Sequence, residues 1–202
     1  MNVMSYINSK VCYNKAMIKK SEKQKMLLGE YYNAQDGELV RERDYVSSIL
    51  CNYNASPFSE QDIQHKTIKH LLNTSGNYIV KPPFHCDYGY NITLGNNVFI
   101  NYNCIFLDVV QIIIEDHVLI GPNTQIYTAC HPIHPQQRLS GLEFGKRVTI
   151  KKNAWIGGSC VILPGVSIGE NTIIGAGSVV SKSIPDNVVA YGNPCKIIKS
   201  II

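Results

Sequence analysis

The chain has 202 residues, a formal net charge of +4 and seven cysteines. Its length suits one domain with an accessory segment, and its scattered basic residues, without interleaved aromatic residues, argue against a nucleic-acid-binding surface. The mild positive charge suits a small polyanionic ligand. The cysteines are odd in number and irregularly spaced, which argues against a disulfide framework or a zinc knuckle and favours a reducing, cytoplasmic location. We expect no membrane association, because no apolar segment is long enough to span a bilayer.

The first third of the chain divides into a polar extension and a helical segment. Residues 1–20 are largely polar and without pattern, which predicts a disordered extension. Two segments follow, 38–53 and 60–72, in which apolar residues recur at intervals of three and four, as on one face of a helix. We therefore assign residues 21–75 to a helical cap that covers one open end of the domain that follows.

The most informative feature is a six-residue repeat near the C-terminus. An aliphatic residue occupies every sixth position, namely Ile150, Ile156, Ile162, Ile168, Ile174 and Val180. A second set of small or medium residues lies four positions after each of the first five, namely Ala154, Cys160, Val166, Thr172 and Ser178. This period matches neither a helix nor a lone strand, and it indicates a parallel β-helix built from short strands and tight turns. An antiparallel β protein fits less well, because its strands alternate with a period of two.

The same spacing appears twice upstream of this run. Leu94, Ile100 and Phe106 form one series, and Ile114, Ile120 and Ile126 form another. The step of eight between Phe106 and Ile114 indicates about two extra residues in the coil. Residues 127–149 lack the repeat and predict a loop extruded from the coil. The expected fold is therefore mainly β, with residues 76–202 forming a β-helix of hexapeptide repeats that stacks its aliphatic residues inward.

Several short motifs are more specific than the repeat, which many acyltransferases share. They lie at residues 22–30, 86–91, 101–103, 128–134, 154–158, 175–178 and 192–194. In these motifs the chain resembles the maltose and galactoside O-acetyltransferases, a family of hexapeptide-repeat acetyltransferases. The resemblance covers about residues 21–202. It implies a left-handed β-helix, acetyl-CoA as the acetyl donor, no metal, and a homotrimer with active sites between subunits.

The resemblance assigns catalysis to the extruded loop. His131 would act as the general base for an acceptor hydroxyl, which is too weak an acid to ionise by itself at neutral pH. Glu143, at the far end of the loop, would orient the ring of His131, and Asn101 belongs to the same candidate set. His134 is a rival base in the same loop. A loop histidine that is merely solvated is the simpler alternative.

The resemblance also implies a set of acceptor-binding residues. Asp87 and Asn101 match family positions, whereas Asp108 is offset by one residue from the family's carboxylate. Asn33 stands near a position where the family has an acid, supplied by the helical cap of a neighbouring subunit. Polar side chains of this kind bind sugar hydroxyls, although each of them could instead cap a turn of the coil.

For acetyl-CoA the resemblance points to positions on the C-terminal coils. The candidates are Trp155, Gly158, Ala176, Ser181, Lys182, Lys196 and Lys199. Gly158 replaces a serine of many relatives and would supply a backbone N–H to the oxyanion, or it simply permits a tight turn. Lys196 and Lys199 replace arginines that are common in relatives, so they keep the charge toward phosphate but lose the bidentate geometry. The alternatives are solvated lysines and a Trp155 that packs on a neighbouring coil.

The expected function is therefore acetyl transfer from acetyl-CoA to a hydroxyl of a sugar by direct attack. One alternative keeps this chemistry and changes the acceptor to an antibiotic, another xenobiotic or an amino-sugar. A zinc carbonic anhydrase is a second alternative, which requires three converging histidines, and only His117 lies in the regular coils. A non-enzymatic scaffold is the third, since a repeat fold does not by itself imply activity.

Overall fold

A computed structural model describes residues 19–57, 61–74 and 76–202. Most of the predicted N-terminal extension, residues 1–18, lies outside the described residues. The described residues form four helices: α1 (Glu22–Leu27), α2 (Gly37–Ala55), α3 (Gln61–Leu71) and α4 (Pro135–Leu139). Helix α1 begins with a capping box, in which Ser21 accepts from the N–H of Gln24 and Gln24 accepts from the N–H of Ser21. None of the helices in this part of the chain has the length and apolar character that crossing a bilayer requires.

The described strands are short. They form one small ladder and three larger sheets, in each of which strands from successive coils lie side by side. The small ladder contains β1 (Tyr32–Asn33), β11 (Ala129–Cys130) and β12 (Leu142–Gly145). Sheet I contains β4 (Phe84–Cys86), β7 (Cys104–Leu107), β10 (Gln125–Tyr127), β15 (Val161–Ile162) and β18 (Val179–Val180). Sheet II contains β2 (Asn73–Thr74), β5 (Ile92–Leu94), β8 (Ile112–Ile114), β13 (Val148–Ile150) and β16 (Ser167–Ile168). Sheet III contains β3 (Tyr78–Val80), β6 (Val98–Ile100), β9 (Leu119–Ile120), β14 (Trp155–Ile156), β17 (Ile173–Ile174), β19 (Val188–Tyr191) and β20 (Lys196–Ser200).

The chain visits sheets II, III and I in turn, so successive coils form a three-sided prism. Ile150 pairs with Ile168, which lies eighteen residues further on, and Ile156 pairs with Ile174 in the same way. The pairing is parallel, and the side chains of these four residues are buried. The second set is buried as well, from Ala154 to Ser178. The predicted parallel β-helix of hexapeptide repeats is therefore confirmed, with three hexapeptides to each regular coil.

The earlier coils are two residues longer than the later ones. Leu94 pairs with Ile114 and Phe106 pairs with Ile126, and both separations are twenty residues. The additional residues lie where the chain passes from sheet I to sheet II, a corner that we call edge I/II. The step of eight in the sequence marks this corner. Edges II/III and III/I are the two corners that follow along the chain.

Asparagines occupy most of the left-handed positions at the other two corners. Asn153, Asn171 and Asn187 stack at edge II/III, each with a backbone φ between 57° and 59°. The left-handed conformation is costly for most residues but accessible to asparagine. The Nδ2 of Asn153 donates to the Oδ1 of Asn171, and Asn171 donates to Asn187, both over 2.8 Å. These amide ladders hold successive turns in register.

Helices α2 and α3 cover the first coils of the prism. Val46, Leu50 and Ile68 pack in the same buried cluster as the inward residues of the first strands. The amide of Asn54 caps the end of sheet I, since it accepts from the N–H of Phe84 over 2.8 Å and donates to the carbonyl of Phe84 over 3.0 Å. The helices therefore satisfy backbone groups that the first coil would otherwise expose.

Candidate functional site

The extruded loop leaves the prism at edge I/II. Its two arms, β11 and β12, pair as antiparallel strands, and α4 crosses the tip between them. Thr128 anchors the departure point, because its Oγ1 donates to the carbonyl of Leu107 over 2.7 Å and accepts from the N–H of Val110 over 3.2 Å. The loop is therefore a hairpin fixed at its base, and its residues project from one defined corner of the prism.

The N-terminal segment of the cap binds this hairpin directly. In the ladder between β1 and β12, Tyr32 faces Glu143 and Asn33 faces Leu142. The phenol of Tyr32 also donates to Oε2 of Glu143 over 2.8 Å. Burial and the hydrogen bond with Glu143 raise the pKa of Tyr32 well above its usual value, so the phenol keeps its proton and remains a donor. Glu143 is thus held at a fixed place beside the cap.

A polar cluster continues from Glu143 into the prism. Arg43 of helix α2 donates to the hydroxyl of Tyr88 over 2.5 Å and to the carbonyl of Ala34 over 2.7 Å. Burial raises the pKa of Asp87 to about 6, while the charge of Arg43 lowers it and that of Glu143 raises it. Asp87 therefore lies within electrostatic range of both the guanidinium group of Arg43 and the carboxyl group of Glu143. Such a cluster can hydrogen-bond several hydroxyl groups of one small polar ligand.

Sequence reasoning missed three members of this cluster, Tyr32, Arg43 and Tyr88. Arg43 stands in a run of charged residues on a helix, which is typical of a solvated face. The sequence pattern does not predict that Tyr32 and Tyr88 are buried, because neither residue belongs to the hexapeptide repeat. Tyr88 does fall within the 86–91 motif, and this position was the available clue.

Asp108 lies beneath the turn that carries Asp87. Its Oδ1 accepts from the N–H groups of Asp87 and Tyr88, over 2.9 and 3.0 Å. The side chain is fully buried, and Oδ2 has no hydrogen-bond partner among the described residues. Burial raises the pKa of Asp108 to about 8, even though the N–H of Tyr88 lowers it. The structure thus places this predicted acceptor contact inside the corner and away from solvent.

His131 and Asn33 complete the predicted residues on this side of the molecule. His131 is exposed and directly follows β11, in which Cys130 pairs with Phe144. If this antiparallel register continued by one residue, His131 would face Glu143. Asn33 is exposed in β1, and its Oδ1 accepts from the N–H of Gln35 over 3.0 Å. The structure therefore brings His131, Glu143, Asn33, Asp87 and Asp108 to edge I/II or to the ladder beside it.

A second group of predicted residues lies at edge III/I. Asn101 uses its Oδ1 to accept from the N–H of Tyr102 over 2.8 Å, so it does cap a turn of the coil. Ala176 stands exposed one coil beyond Gly158. A Cβ built on Gly158 would lie 3.1 Å from the carbonyl oxygen of Pro122, a tight but adjustable contact. A Cβ on Gly157 would lie only 2.5 Å from the backbone nitrogen of Ala176, so the turn requires its glycine at 157.

The remaining acetyl-CoA candidates lie on the surface of the last coils. Ser181 and Lys182 are exposed and follow β18 at edge I/II. Lys196 and Lys199 are exposed on β20, which pairs antiparallel with β19. Trp155 is exposed on the outer face of sheet III. These positions can all meet a ligand from solvent, and they are distributed over more than one side of the prism.

The outer face of sheet III carries a continuous apolar stripe. Cross-strand pairing stacks six outward residues, which are Ile79, Phe99, Leu119, Trp155, Ile173 and Val189. Ile79, Leu119 and Trp155 are about half exposed, at 51%, 48% and 53%. The corresponding stack on sheet II is Asn73, Thr93, Ile113, Thr149 and Ser167, which is mainly polar. An apolar stripe of this length on one face is typical of a protein contact.

The histidines of the described residues are dispersed. His117 lies at edge II/III and His131 lies in the loop, whereas His85 lies on β4 of sheet I, so the expectation that only His117 falls within the coils was wrong. Among the residues that the structure describes, no group of three or more His, Cys, Asp or Glu side chains could hold a metal ion. These residues therefore provide no ligand set for the zinc alternative within one chain.

Comparison with known proteins reveals similarity over most of the chain. Residues 25–76 match the family described as maltose acetyltransferase hexapeptide capping motif, and residues 147–182 match the one described as bacterial transferase hexapeptide (six repeats). Nodulation protein L of Rhizobium leguminosarum bv. viciae is 46% identical over 179 residues, which are 88% of this chain and 94% of that protein.

Two solved structures extend this similarity to the fold. The crystal structure of a maltose O-acetyltransferase from Clostridium difficile 630 shares 49% sequence identity with a TM-score of 0.89, and the match covers 91% of this chain and 98% of that one. A galactoside acetyltransferase in complex with coenzyme A shares 36% identity with a TM-score of 0.87, and the match covers 91% of this chain and 92% of that one.

Proposed function

Because the chain belongs to the hexapeptide-repeat acetyltransferases of the maltose and galactoside O-acetyltransferase type, we propose that it transfers the acetyl group of acetyl-CoA to a hydroxyl group of a sugar. The observation that carries the proposal is the hairpin at edge I/II, which projects His131 beside the strand that bears Glu143. The polar cluster around Asp87 and Arg43 lies at the same edge and suits a ligand with several hydroxyl groups.

In the proposed reaction the acceptor hydroxyl attacks the thioester carbonyl directly. His131 takes the hydroxyl proton as the new carbon–oxygen bond forms. When the tetrahedral intermediate collapses, the carbon–sulfur bond breaks and the proton passes from His131 to the leaving thiolate of CoA. Glu143, fixed by Tyr32, orients the imidazole of His131 and favours one tautomer. Asp87 binds a second hydroxyl group and thereby orients the acceptor.

The thioester end of acetyl-CoA is assigned to edge III/I. The backbone N–H of Gly158 supplies the donor for the developing oxyanion, since this residue has no side-chain hydroxyl to offer. Ala176 and Trp155 contact the pantetheine arm, and Asn101 belongs to this side of the site. The phosphates are bound by the hydroxyl group of Ser181 and by the exposed ammonium groups of Lys182, Lys196 and Lys199, which can reach a polyanion without bidentate geometry.

The placement of these groups supports active sites formed between subunits. The candidate base and the acceptor residues other than Asn101 lie at edge I/II or in the ladder beside it, whereas Asn101, Gly158 and Ala176 lie at edge III/I, on the other side of sheet I. One chain alone therefore holds the two halves of the site at different corners. A second copy that contributes edge III/I would bring them together. The apolar stripe on sheet III supplies a self-contact surface, and we accordingly propose a homotrimer.

The experiment that tests the function compares the wild type with His131→Ala and with His134→Ala as the matched loop control. Thiol release from acetyl-CoA is measured against a panel of sugars, amino-sugars and antibiotics. We expect sugar-dependent release that falls about 10²–10⁴-fold in His131→Ala, as is typical for loss of a positioned base. His134→Ala should retain most of the rate.

Three outcomes would contradict parts of the proposal. Near-full activity of His131→Ala would remove the assignment of the base. If thiol is released with an antibiotic or an amino-sugar but with none of the sugars, the proposed class of acceptor is wrong. A chain that does not bind acetyl-CoA at all would instead support the scaffold alternative.

A further inference from the structure

A buried carboxyl group that takes no part in the proposed chemistry lies directly under the candidate acceptor site. We infer that Asp108 is a positioning residue, which works as a neutral carboxylic acid and holds the Asp87–Tyr88 turn so that Asp87 faces the acceptor. The inference rests on the proposed function only for the role of Asp87. The geometry of Asp108 itself is independent of the reaction.

The hydrogen bonds of Asp108 tie it to this turn at two backbone positions. Its Oδ1 accepts from Asp87 over 2.9 Å and from Tyr88 over 3.0 Å, so one oxygen atom fixes two consecutive peptide groups. The backbone of Asp108 is fixed in turn, because the Nδ2 of Asn91 donates to its carbonyl over 2.7 Å. At edge I/II, the corner with additional residues, the side chain of Asp108 is the partner of the N–H groups of Asp87 and Tyr88.

The surroundings of Asp108 favour the neutral form. Its side chain is fully buried, and Oδ2 has no hydrogen-bond partner among the described residues. An ionised carboxylate in such a place would lack the compensation that a buried charge requires. The titratable groups that face it are Cys86, Asp87 and Tyr90, none of which is a cation.

The pKa of Asp108 agrees with this geometry. Burial raises it to about 8, the N–H groups of Tyr88 and Asp87 lower it, and the charge of Asp87 raises it. Arg43, the cation of the cluster, acts on Asp87. At neutral pH, Asp108 therefore retains its proton while Asp87 is mainly ionised. Above about pH 8, Asp108 gains a charge beside Asp87, and the turn that it holds becomes less favourable.

The activity arm of the test compares Asp108→Asn with Asp108→Ala. The amide of Asp108→Asn keeps an oxygen acceptor for both N–H groups and cannot ionise, whereas Asp108→Ala leaves both N–H groups without this partner. We expect Asp108→Ala to raise the KM for the sugar acceptor about tenfold, the usual scale for one lost buried hydrogen-bond partner, with the KM for acetyl-CoA little affected. Asp108→Asn should recover most of this loss.

The pH profile separates positioning from a merely structural role. In the wild type, the KM for the acceptor should rise as the pH passes about 8, and Asp108→Asn should lack this rise. A profile that is the same in both proteins would overturn the inference. So would an Asp108→Asn protein with the same acceptor KM as Asp108→Ala.

A second arm does not depend on activity. The pKa of Asp108 is raised in the folded state above its ordinary 3.8, so the folded state holds a proton that the unfolded chain releases between 3.8 and about 8. The stability of the wild type, relative to Asp108→Asn, should therefore fall as the pH rises through this window. The carboxyl ¹³C resonance of Asp108 in the wild type, assigned through its own backbone, should titrate near 8.

This second arm remains decisive in two unfavourable cases. If Asp108→Asn does not fold, the wild-type resonance alone decides the protonation state. If no sugar is acetylated, the proposed function fails, but the resonance and the stability curves still report on Asp108. A resonance that titrates near the ordinary aspartate value would overturn the inference.

Discussion

The phenol of Tyr32 donates a 2.8 Å hydrogen bond to Glu143, and the same two residues face each other in the ladder between β1 and β12. The cap and the extruded hairpin are thus joined by a backbone ladder and by a side-chain bond. Tyr32 is fully buried, so its phenol has little freedom to choose another partner. Glu143 lies on β12, the returning arm of the hairpin. The hydrogen bond from Tyr32 therefore fixes the carboxylate that we propose as the orienting partner of His131.

Replacing Tyr32 with Phe should therefore lower both stability and turnover. The change removes one buried donor and keeps the ring, so we expect a loss of about 1 kcal/mol in the free energy of unfolding. Turnover should also fall, because Glu143 becomes free to rotate away from His131. Tyr31→Phe is the matched control, since Tyr31 is half exposed and packs its ring on Phe144. Equal stability and rate in the two variants would contradict this role of the hydrogen bond.

The affinity for the acceptor should depend on the ionisation of Asp87. Burial raises the pKa of Asp87 to about 6, so its carboxylate, the better hydrogen-bond acceptor, forms as the pH rises through about 6. Acceptor affinity, measured by calorimetry without the acetyl donor, should increase over this range. Asp87→Asn should bind more weakly and without this dependence.

The same shift has the opposite effect on stability. The folded-state pKa of Asp87 lies above its ordinary 3.8, so the folded protein holds the proton more tightly between 3.8 and about 6. The wild type should therefore lose stability relative to Asp87→Asn as the pH rises across this window. Parallel stability curves for the two proteins would show that the carboxyl group is not shifted.

A serine at position 158 should be accepted and should increase the rate. The added Cβ would lie 3.1 Å from the carbonyl oxygen of Pro122, which a small local shift can relieve. Its hydroxyl would add a donor at the proposed oxyanion position, and we expect turnover to rise by about tenfold or less. Gly157→Ser is the matched control, because its Cβ would meet the backbone of Ala176 at 2.5 Å and should destabilise the coil. An unchanged or lower turnover in a folded Gly158→Ser protein would argue against this oxyanion position.

Arginine at positions 196 and 199 should strengthen acetyl-CoA binding. Both lysines are exposed on β20, and a guanidinium group can bind phosphate through two donors where an ammonium group acts as a point charge. We expect the double variant to have a KM for acetyl-CoA that is lower by about threefold, with a steeper dependence on salt. Lys151→Arg is the control, since Lys151 pairs with Asp186 at edge II/III. The same KM in all three proteins would place the phosphates elsewhere.

A charge in the apolar stripe should break the proposed oligomer. Leu119 is 48% exposed at the centre of the outer face of sheet III, so Leu119→Glu would bury a carboxylate in a subunit contact. We expect a smaller species by sedimentation, with the circular dichroism of the coil retained and activity lost. Thr149→Glu places the same charge on the outer face of sheet II and should leave the assembly intact. A monomeric wild type, or dissociation by both variants, would refute the assignment of the interface.

Much of the prism could be predicted from the sequence, because an inward aliphatic residue recurs at every sixth position of its coils. The inward position of Ile156 and the additional residues between Phe106 and Ile114 both follow from counting along the chain. The handedness of the coil does not follow from spacing, since a six-residue period is the same in either hand. That expectation came from resemblance alone.

The site was less predictable, because its contacts join distant residues without any period. Arg43 and Tyr88 come from a helix and from a turn, and nothing in either segment reveals the bond between them. The burial of Asp108 was equally unpredictable, because a polar residue in a turn is ordinarily solvated, whereas this one is fully buried.

The strand pairing of sheet II is uninterrupted at the point where the hairpin leaves the coil. Ile112 and Ile114 pair with Val148 and Ile150 in the register that they share with Ile92 and Leu94 on the other side. The stack thus continues as though the intervening segment were absent. It follows that the length and sequence of the hairpin can change between its two fixed ends without any change in the strand register of the core. The hairpin is therefore the segment to exchange when an enzyme for a different acceptor is sought.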